Sequence, residues 1–153
     1  MNKQSSNIET FRYKNALKKY AQAYVHNRRK SKSEKQLSDT PKTYVIYARK
    51  STEDEERQQE SIDDQINHCQ KYTKKENLHV VDILTEERSA KTAGRRETFK
   101  KMLEQIKKGE SYNSILAWHP DRLSRNMKES GEILDMLDKD IILDLKFPSY
   151  TFT

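Results

Sequence analysis

Cysteine, glycine and long apolar runs are scarce in this chain, and each shortage excludes a class of protein. Cys69 is the single cysteine among 153 residues, which excludes an internal disulfide and a cysteine-based zinc knuckle and is typical of a reducing cytoplasm. The three glycines form neither a GxGxxG fingerprint nor a P-loop, so a glycine-rich nucleotide-binding loop is excluded. No apolar run approaches the length of a membrane span, and the first ten residues lack the apolar core of a signal peptide. We therefore expect a cytoplasmic protein without a membrane partner.

Apolar residues are also few, and the basic charge is unevenly spread. Only 33% of the residues are apolar and 35% are charged, which predicts that part of the chain is a solvated extension rather than core. Residues 1–42 hold 11 basic and three acidic residues, a net charge of +8, whereas residues 43–153 carry a net charge of −2. The basic character of the protein therefore belongs to its N-terminal stretch.

Residues 5–36 show the pattern of an amphipathic helix, and a linker follows up to residue 42. Ser6 and Glu9 match a capping box, and apolar and aromatic residues recur at helical spacing opposite Lys and Arg. Two interpretations stay open: the helix packs its aromatic stripe on the domain or on a partner, or it is an arm that binds DNA by electrostatics alone. In the second interpretation the candidate DNA-binding residues are Arg28, Arg29, Lys30 and Lys32.

After Pro41 the pattern changes to short apolar runs that alternate with amphipathic helical stretches. A capping serine, Ser61, begins one helix, Gly109 closes a second, and a third runs from about residue 123 to 140. Such alternation predicts an α/β domain over residues 43–153, with a mostly parallel central sheet of four or five strands flanked by helices. The predicted strands are the apolar runs 44–48, 80–84, 115–118 and 141–147.

Charged and nucleophilic residues follow the predicted strands, at the sheet edge where α/β folds carry their active sites. Ser51 and several arginines meet at this edge, and guanidinium groups can hold phosphate oxygens and spread the charge of a pentacoordinate transition state. No histidine lies near Ser51 in sequence, and no Asp, Glu or His cluster has metal-ligand spacing. A Ser-His-Asp hydrolase and metal-assisted phosphoryl transfer are therefore poor matches. A covalent phosphoserine mechanism without metal or cofactor remains.

Three motifs, in this order, carry a resemblance to a known family. They are YARKS over residues 47–51, SIDDQ over residues 61–65 and DRLSRN over residues 121–126. The chain from about residue 43 resembles the catalytic domain of serine site-specific recombinases, the resolvases, invertases and large serine integrases, and is most similar to the large-recombinase or transposon branch.

The resemblance implies that the reaction is DNA strand cleavage and rejoining. Ser51 would be the nucleophile that attacks a phosphodiester of double-stranded DNA, forming a 5′-phosphoserine link and releasing a 3′-hydroxyl. Arg49 would neutralise the scissile phosphate, and Arg122 and Arg125 would contact the phosphate and the leaving group.

The same resemblance gives further residues a role. Arg96 matches the mid-domain arginine of the family, and Gln65 would hold the pocket. Asp121 would orient the arginines or assist proton transfer, and these two roles are not separated by the sequence. Glu86 lies where the family usually has Asp.

The family also implies partner subunits. Its members exchange half-sites as dimers and tetramers, which a long helix after the catalytic domain holds together, and residue 153 comes before that helix. We therefore expect subunit contacts to be weak or absent in this chain. An alternative function is a catalytically silent fragment that binds DNA or a full-length recombinase and regulates it.

Overall fold

The computed structural model describes residues 40–51, 60–88 and 96–149, together with Arg12 and Asn15. The predicted helix 5–36 and the candidate DNA-binding residues lie outside the described residues. The strands are β1 (Tyr44–Ser51), β2 (Val80–Arg88), β3 (Ser114–Leu116) and β4 (Asp144–Lys146). The helices are α1 (Ile62–Glu76), α2 (Glu97–Lys108), α3 (Pro120–Leu123) and α4 (Met127–Asp138).

The four described strands form one sheet in the order β2-β1-β3-β4, and each pair is parallel. This confirms the predicted α/β class with a parallel sheet flanked by helices. β1 pairs with β2 along its whole length but with β3 only from Tyr44 to Ile46. The C-terminal half of β1 therefore has a strand on one side only, and this half carries the YARKS motif.

Side chains of β1 alternate between the two faces of the sheet, as a strand requires. Val45 and Tyr47 belong to the larger apolar cluster, which α2 and α4 cover, while Tyr44 and Ile46 pack with Cys69 of α1. Both faces of β1 are thus buried, which explains why its sequence is a nearly continuous apolar run. The central strand is held rigidly and can present its last residues in a fixed place.

The helix boundaries follow local capping chemistry. The Ser61 hydroxyl accepts a hydrogen bond from the Asp64 N–H at 3.1 Å, and it begins α1 as predicted. Gly109 ends α2 with φ +73°, a left-handed conformation that costs glycine little. No helix among the described residues has the length and apolarity that crossing a membrane requires.

The third predicted helix, from about residue 123 to 140, is present as α4 but begins later than predicted, at Met127, and Leu123 belongs to the separate short helix α3. Ser124 is extended, and Asn126 begins α4 by accepting a hydrogen bond from the Glu129 N–H at 2.9 Å. The Ser124 hydroxyl forms a buried hydrogen bond of 2.9 Å with that of Ser130. These local side-chain bonds compete with a continuous helix, so the chain turns at residues 124–126.

The predicted strand ends also differ from those observed. β1 and β2 extend further than their apolar runs, because their backbones stay paired as far as Ser51 and Arg88. Arg49 therefore belongs to the strand itself and not to the loop after it. β3 and β4 are shorter than predicted, with three residues each.

Candidate active site

Two buried arginines meet at the C-terminal end of β1. Arg49 Nη2 donates a hydrogen bond to the main-chain oxygen of Asp121 at 2.7 Å, and Arg122 Nη1 lies 3.4 Å from the main-chain oxygen of Arg49. Arg49 is 8% exposed and Arg122 is 4% exposed. Both guanidinium groups are permanently charged, so burying two arginines at the end of one strand favours binding of an anion. The fold thus brings the first and third sequence motifs together.

Gln65 takes the place of a strand beside β1. The pairing of β1 with β3 ends at Ile46. Beyond that point, the Gln65 side-chain amide forms hydrogen bonds with the backbone of Arg49. Its Oε1 accepts from the Arg49 N–H at 3.2 Å, and its Nε2 donates to the Arg49 carbonyl at 2.9 Å and to that of Glu60 at 3.1 Å. Gln65 is fully buried. It therefore fixes the backbone two residues before Ser51.

Asp121 lies between a histidine and an arginine. Its Oδ1 is 2.7 Å from His119 Nδ1 and 3.7 Å from Arg122 Nε. His119 also begins α3, where its Nδ1 accepts from the Asp121 N–H at 3.2 Å. These two contacts of one nitrogen alternate, since Nδ1 accepts from the N–H only when it carries no hydrogen and donates to the carboxylate only when it carries one. Asp121 thus touches Arg49 through its backbone and Arg122 through its side chain.

Arg96 begins α2 and lies under the end of β1, 5% exposed. Its Nη2 donates to the Tyr47 hydroxyl and to the Leu123 carbonyl, each at 2.8 Å. Its guanidinium carbon lies 4.2 Å from the centre of the Phe99 ring, close enough for a cation–π contact. The Arg96 guanidinium therefore contacts residues of both the YARKS and the DRLSRN motif.

Two carboxylates accompany Arg96. Glu129 pairs with Arg96 Nη1, while Glu86 Oε1 lies 3.7 Å from Arg96 Nε. Glu86 also accepts hydrogen bonds from the Tyr47 hydroxyl at 3.1 Å and from the Phe99 N–H at 3.2 Å. Burial raises the pKa of Tyr47 above its usual range, so its hydroxyl stays protonated and remains a donor. Glu86 thus joins β2 to the start of α2.

The remaining predicted residues lie at the margin of this group. Arg125 is exposed, and its backbone N–H donates to Glu129 Oε1 at 3.1 Å. Ser51 is the last residue of β1, paired in register with Arg88, and its side chain lies outside what the structure describes. Within residues 40–51, 60–88 and 96–149, no three His, Cys, Asp or Glu side chains are grouped to hold a metal ion.

Sequence reasoning missed Glu129, although a signal for it exists. Asn126 and Glu129 have the spacing of a helix N-cap and its third residue, where an acidic side chain reaches back to the helix start. The signal was hidden because the sequence pattern placed the start of the helix at residue 123.

Comparisons with known proteins decide the family. The family model described as the resolvase N-terminal domain matches residues 44–144, more than half of the chain. The chain belongs to the resolvase family. This confirms the resemblance on which the site prediction rests, and the roles of the individual residues stay predictions.

Solved structures of resolvase-family and serine recombinase domains show the same fold. The N-terminal catalytic domain of TP901-1 integrase is 26% identical with a TM-score of 0.55, over 70% of this chain and 77% of that one. The C-terminal catalytic domain of ISC1926 TnpA, an IS607-like serine recombinase, is 22% identical with a TM-score of 0.54, over 71% of each chain. A resolvase family site-specific recombinase from Streptococcus pneumoniae is 20% identical with a TM-score of 0.56, over 69% of this chain and 71% of that one. No curated protein sequence matches the chain.

Proposed function

We propose that this chain is the catalytic domain of a serine recombinase that cleaves and rejoins double-stranded DNA through Ser51. The observation that carries the proposal is the meeting of Arg49 and Arg122, both buried, at the end of the strand whose last residue is Ser51. Two buried arginines at the end of a strand whose last residue is a serine suit a phosphodiester, because a guanidinium group can hold two phosphate oxygens. Membership of the resolvase family supports this assignment.

The reaction exchanges one phosphoester bond for another. The Ser51 oxygen attacks the phosphorus atom of the scissile phosphodiester, and its proton passes to a base. The bond from phosphorus to the 3′-oxygen of the neighbouring nucleotide breaks, and that oxygen takes up a proton. The 5′-phosphoryl group stays on Ser51, so the energy of the phosphoester is conserved. In the second half, a 3′-hydroxyl attacks the phosphoserine and releases Ser51 again, with no need for ATP.

Arginines supply the charge that the transition state requires. Arg49 and Arg122 neutralise the oxygens of the pentacoordinate phosphorus, and they are held before DNA arrives by the Asp121 carbonyl and by the backbone of β1. Gln65 keeps that backbone in place. Asp121, whose carboxylate lies 3.7 Å from Arg122 Nε, orients the arginines or assists proton transfer. The arrangement provides charge stabilisation by positioned side chains.

Binding of DNA over a distance is a separate task. The region after residue 42 has a net charge of −2, so it does not attract DNA by its overall charge. The basic stretch of residues 1–42 is the proposed arm for this contact, with Arg28, Arg29, Lys30 and Lys32 as its candidate phosphate contacts. Further recombinase subunits are the other proposed partners, and the cytoplasm is the proposed compartment.

A covalent trapping assay tests the proposal. The full chain is incubated with a nicked suicide DNA substrate, and adducts are identified on denaturing gels and by mapping of the modified peptide. Ser51→Ala should abolish the adduct with folding unchanged. The matched control is Ser111→Ala, because Ser111 is an exposed serine before β3, at the opposite edge of the sheet. An adduct that survives Ser51→Ala would contradict the proposal, and a wild-type chain that binds DNA without any adduct would favour the regulatory alternative.

A further inference from the structure

Glu129 holds two segments of the site at once. It is the third residue of α4, and the Asn126 side chain caps its backbone N–H at 2.9 Å. Its Oε1 accepts from the Arg125 N–H at 3.1 Å, and its Oε2 pairs with Arg96 Nη1. The Glu129 side chain is 15% exposed and Arg96 is 5% exposed, so their contact is largely shielded from water, whereas the contact with the Arg125 N–H is exposed. One carboxylate therefore joins the start of α2 to the loop between α3 and α4.

This carboxylate is the one that Arg96 contacts directly. The other nearby acid, Glu86, lies 3.7 Å from Arg96 Nε and gives its oxygens to the Tyr47 hydroxyl and the Phe99 N–H. A buried guanidinium requires a charged partner at hydrogen-bond distance, since leaving it without one is costly. Glu129 also benefits from its place in the first turn of α4, where a negative charge is favoured by the helix dipole.

The segment between α3 and α4, where the DRLSR motif ends, is fixed on both sides by this pair. Arg96 donates to the Leu123 carbonyl, and Glu129 accepts from the Arg125 N–H. Ser124 between them is extended, so the two anchors, together with the bond from Ser124 to Ser130, set the direction of the chain at this point. Arg122 lies immediately before the first anchor, and its guanidinium contacts the main-chain oxygen of Arg49 near the end of β1.

We propose that Glu129 is a positioning residue for DNA cleavage, which holds Arg96 and the Leu123–Arg125 loop in the arrangement that places Arg122 on the phosphate. The proposal rests on the proposed function. Glu129 does not touch the reacting atoms, so its removal should slow the chemical step and leave binding of DNA nearly unchanged.

Single-turnover cleavage of a suicide substrate, measured over a range of DNA concentrations with the full chain, separates these two effects. Glu129→Gln keeps the size of the side chain and an acceptor for the Arg125 N–H but loses the charge that holds Arg96. We expect the adduct rate at saturating DNA to fall roughly tenfold or more, as for a small displacement of a catalytic group. The half-saturating DNA concentration should stay within about threefold, since the basic arm and not this loop carries long-range DNA attraction. The matched control is Glu132→Gln, one turn further along the same helix, where the exposed carboxylate pairs with Lys107 at 3.0 Å; it should keep the wild-type rate.

A wild-type rate for Glu129→Gln, or a change confined to the half-saturating concentration, would overturn the proposal. Should Glu129→Gln fail to fold, Glu129→Asp decides in its place. It keeps the charge but is one methylene too short to reach both partners, so a lower saturating rate supports the proposal and a wild-type rate overturns it.

Nuclear magnetic resonance of the free protein distinguishes failure of this inference from failure of the proposed function. If the wild type forms no adduct, the proposed function fails, and the pairing is then judged on the terminal guanidinium N–H signals of Arg96 alone. A shift of these signals in Glu129→Gln, with none in Glu132→Gln, supports the positioning by Glu129. Unchanged signals overturn it.

Discussion

Gln65 gives the sharpest test of how the site is built, because one side chain replaces a missing strand. We predict that Gln65→Leu destabilises the domain far more than the same change at an exposed glutamine of α1. Leucine has nearly the same size as glutamine but offers no donor and no acceptor. The substitution therefore removes the amide contacts with Arg49 and Glu60 while leaving the space filled.

The magnitude follows from what each lost hydrogen bond leaves behind. The Arg49 N–H loses its acceptor inside the protein, which costs about 1–3 kcal/mol for a buried group. The Arg49 carbonyl keeps the Arg122 Nη1 contact at 3.4 Å, so the loss there is smaller. Burial of the apolar leucine side chain offsets part of this loss of stability. We expect the free energy of unfolding to fall by about 2–4 kcal/mol, a large share of the roughly 5–15 kcal/mol that holds a typical domain.

Urea denaturation of the full chain, followed by tryptophan fluorescence, measures this change. Trp118 is the only tryptophan, and its ring stacks on His68 of α1 at 4.4 Å, so its emission reports on the packing of α1 against the sheet. The matched control is Gln70→Leu on the exposed side of α1, which should stay within about 0.5 kcal/mol of the wild type. Equal effects of the two substitutions would refute the reasoning, because the Gln65 amide would then contribute nothing beyond its volume.

Three further predictions follow from charge and burial. Cleavage should persist in excess EDTA, whereas Arg49→Ala should lower its rate on the order of 10²-fold, as for loss of a major electrostatic stabiliser; inhibition by EDTA that Mg²⁺ reverses would contradict this. DNA affinity should fall steeply with salt, by roughly 0.9 log units per log unit of salt for each phosphate contacted. Deleting residues 1–42 should flatten that slope. An unchanged slope in filter-binding titrations would contradict the role of these residues as a DNA-binding arm. Burial and the nearby Asp144 raise the pKa of Tyr44 above its usual range, so the unfolded chain releases this proton above about pH 10 while the folded chain keeps it. Stability should therefore decline as the pH rises above that value, and Tyr44→Phe should show a shallower decline in urea titrations from pH 9 to 11.

Features that depend on neighbours in the sequence were predictable. The cap at Ser61, the left-handed end at Gly109 and the apolar spacing of α2 are local patterns, and the structure has them where the sequence places them. The parallel sheet follows from the alternation of strands and helices, because a parallel connection needs a crossover of this length. The YARKS and DRLSR motifs could be placed together for the same reason, since the ends of parallel strands share one edge of the sheet.

The partners of Arg96 depend on contacts that no local pattern carries. Arg96 and Glu129 are 33 residues apart, and either could pair with several other charged side chains of a chain that has 24 acidic residues. The sequence pattern also placed the start of this helix at about residue 123, four residues before α4 begins, which would have placed Glu129 more than one turn from the helix start. Once the helix begins at Asn126, the same residue lies in the first turn and its carboxylate can reach back to Arg125. A boundary error of a few residues therefore hid the residue that joins the two halves of the site, because the function of a side chain at a helix start depends on which turn it occupies.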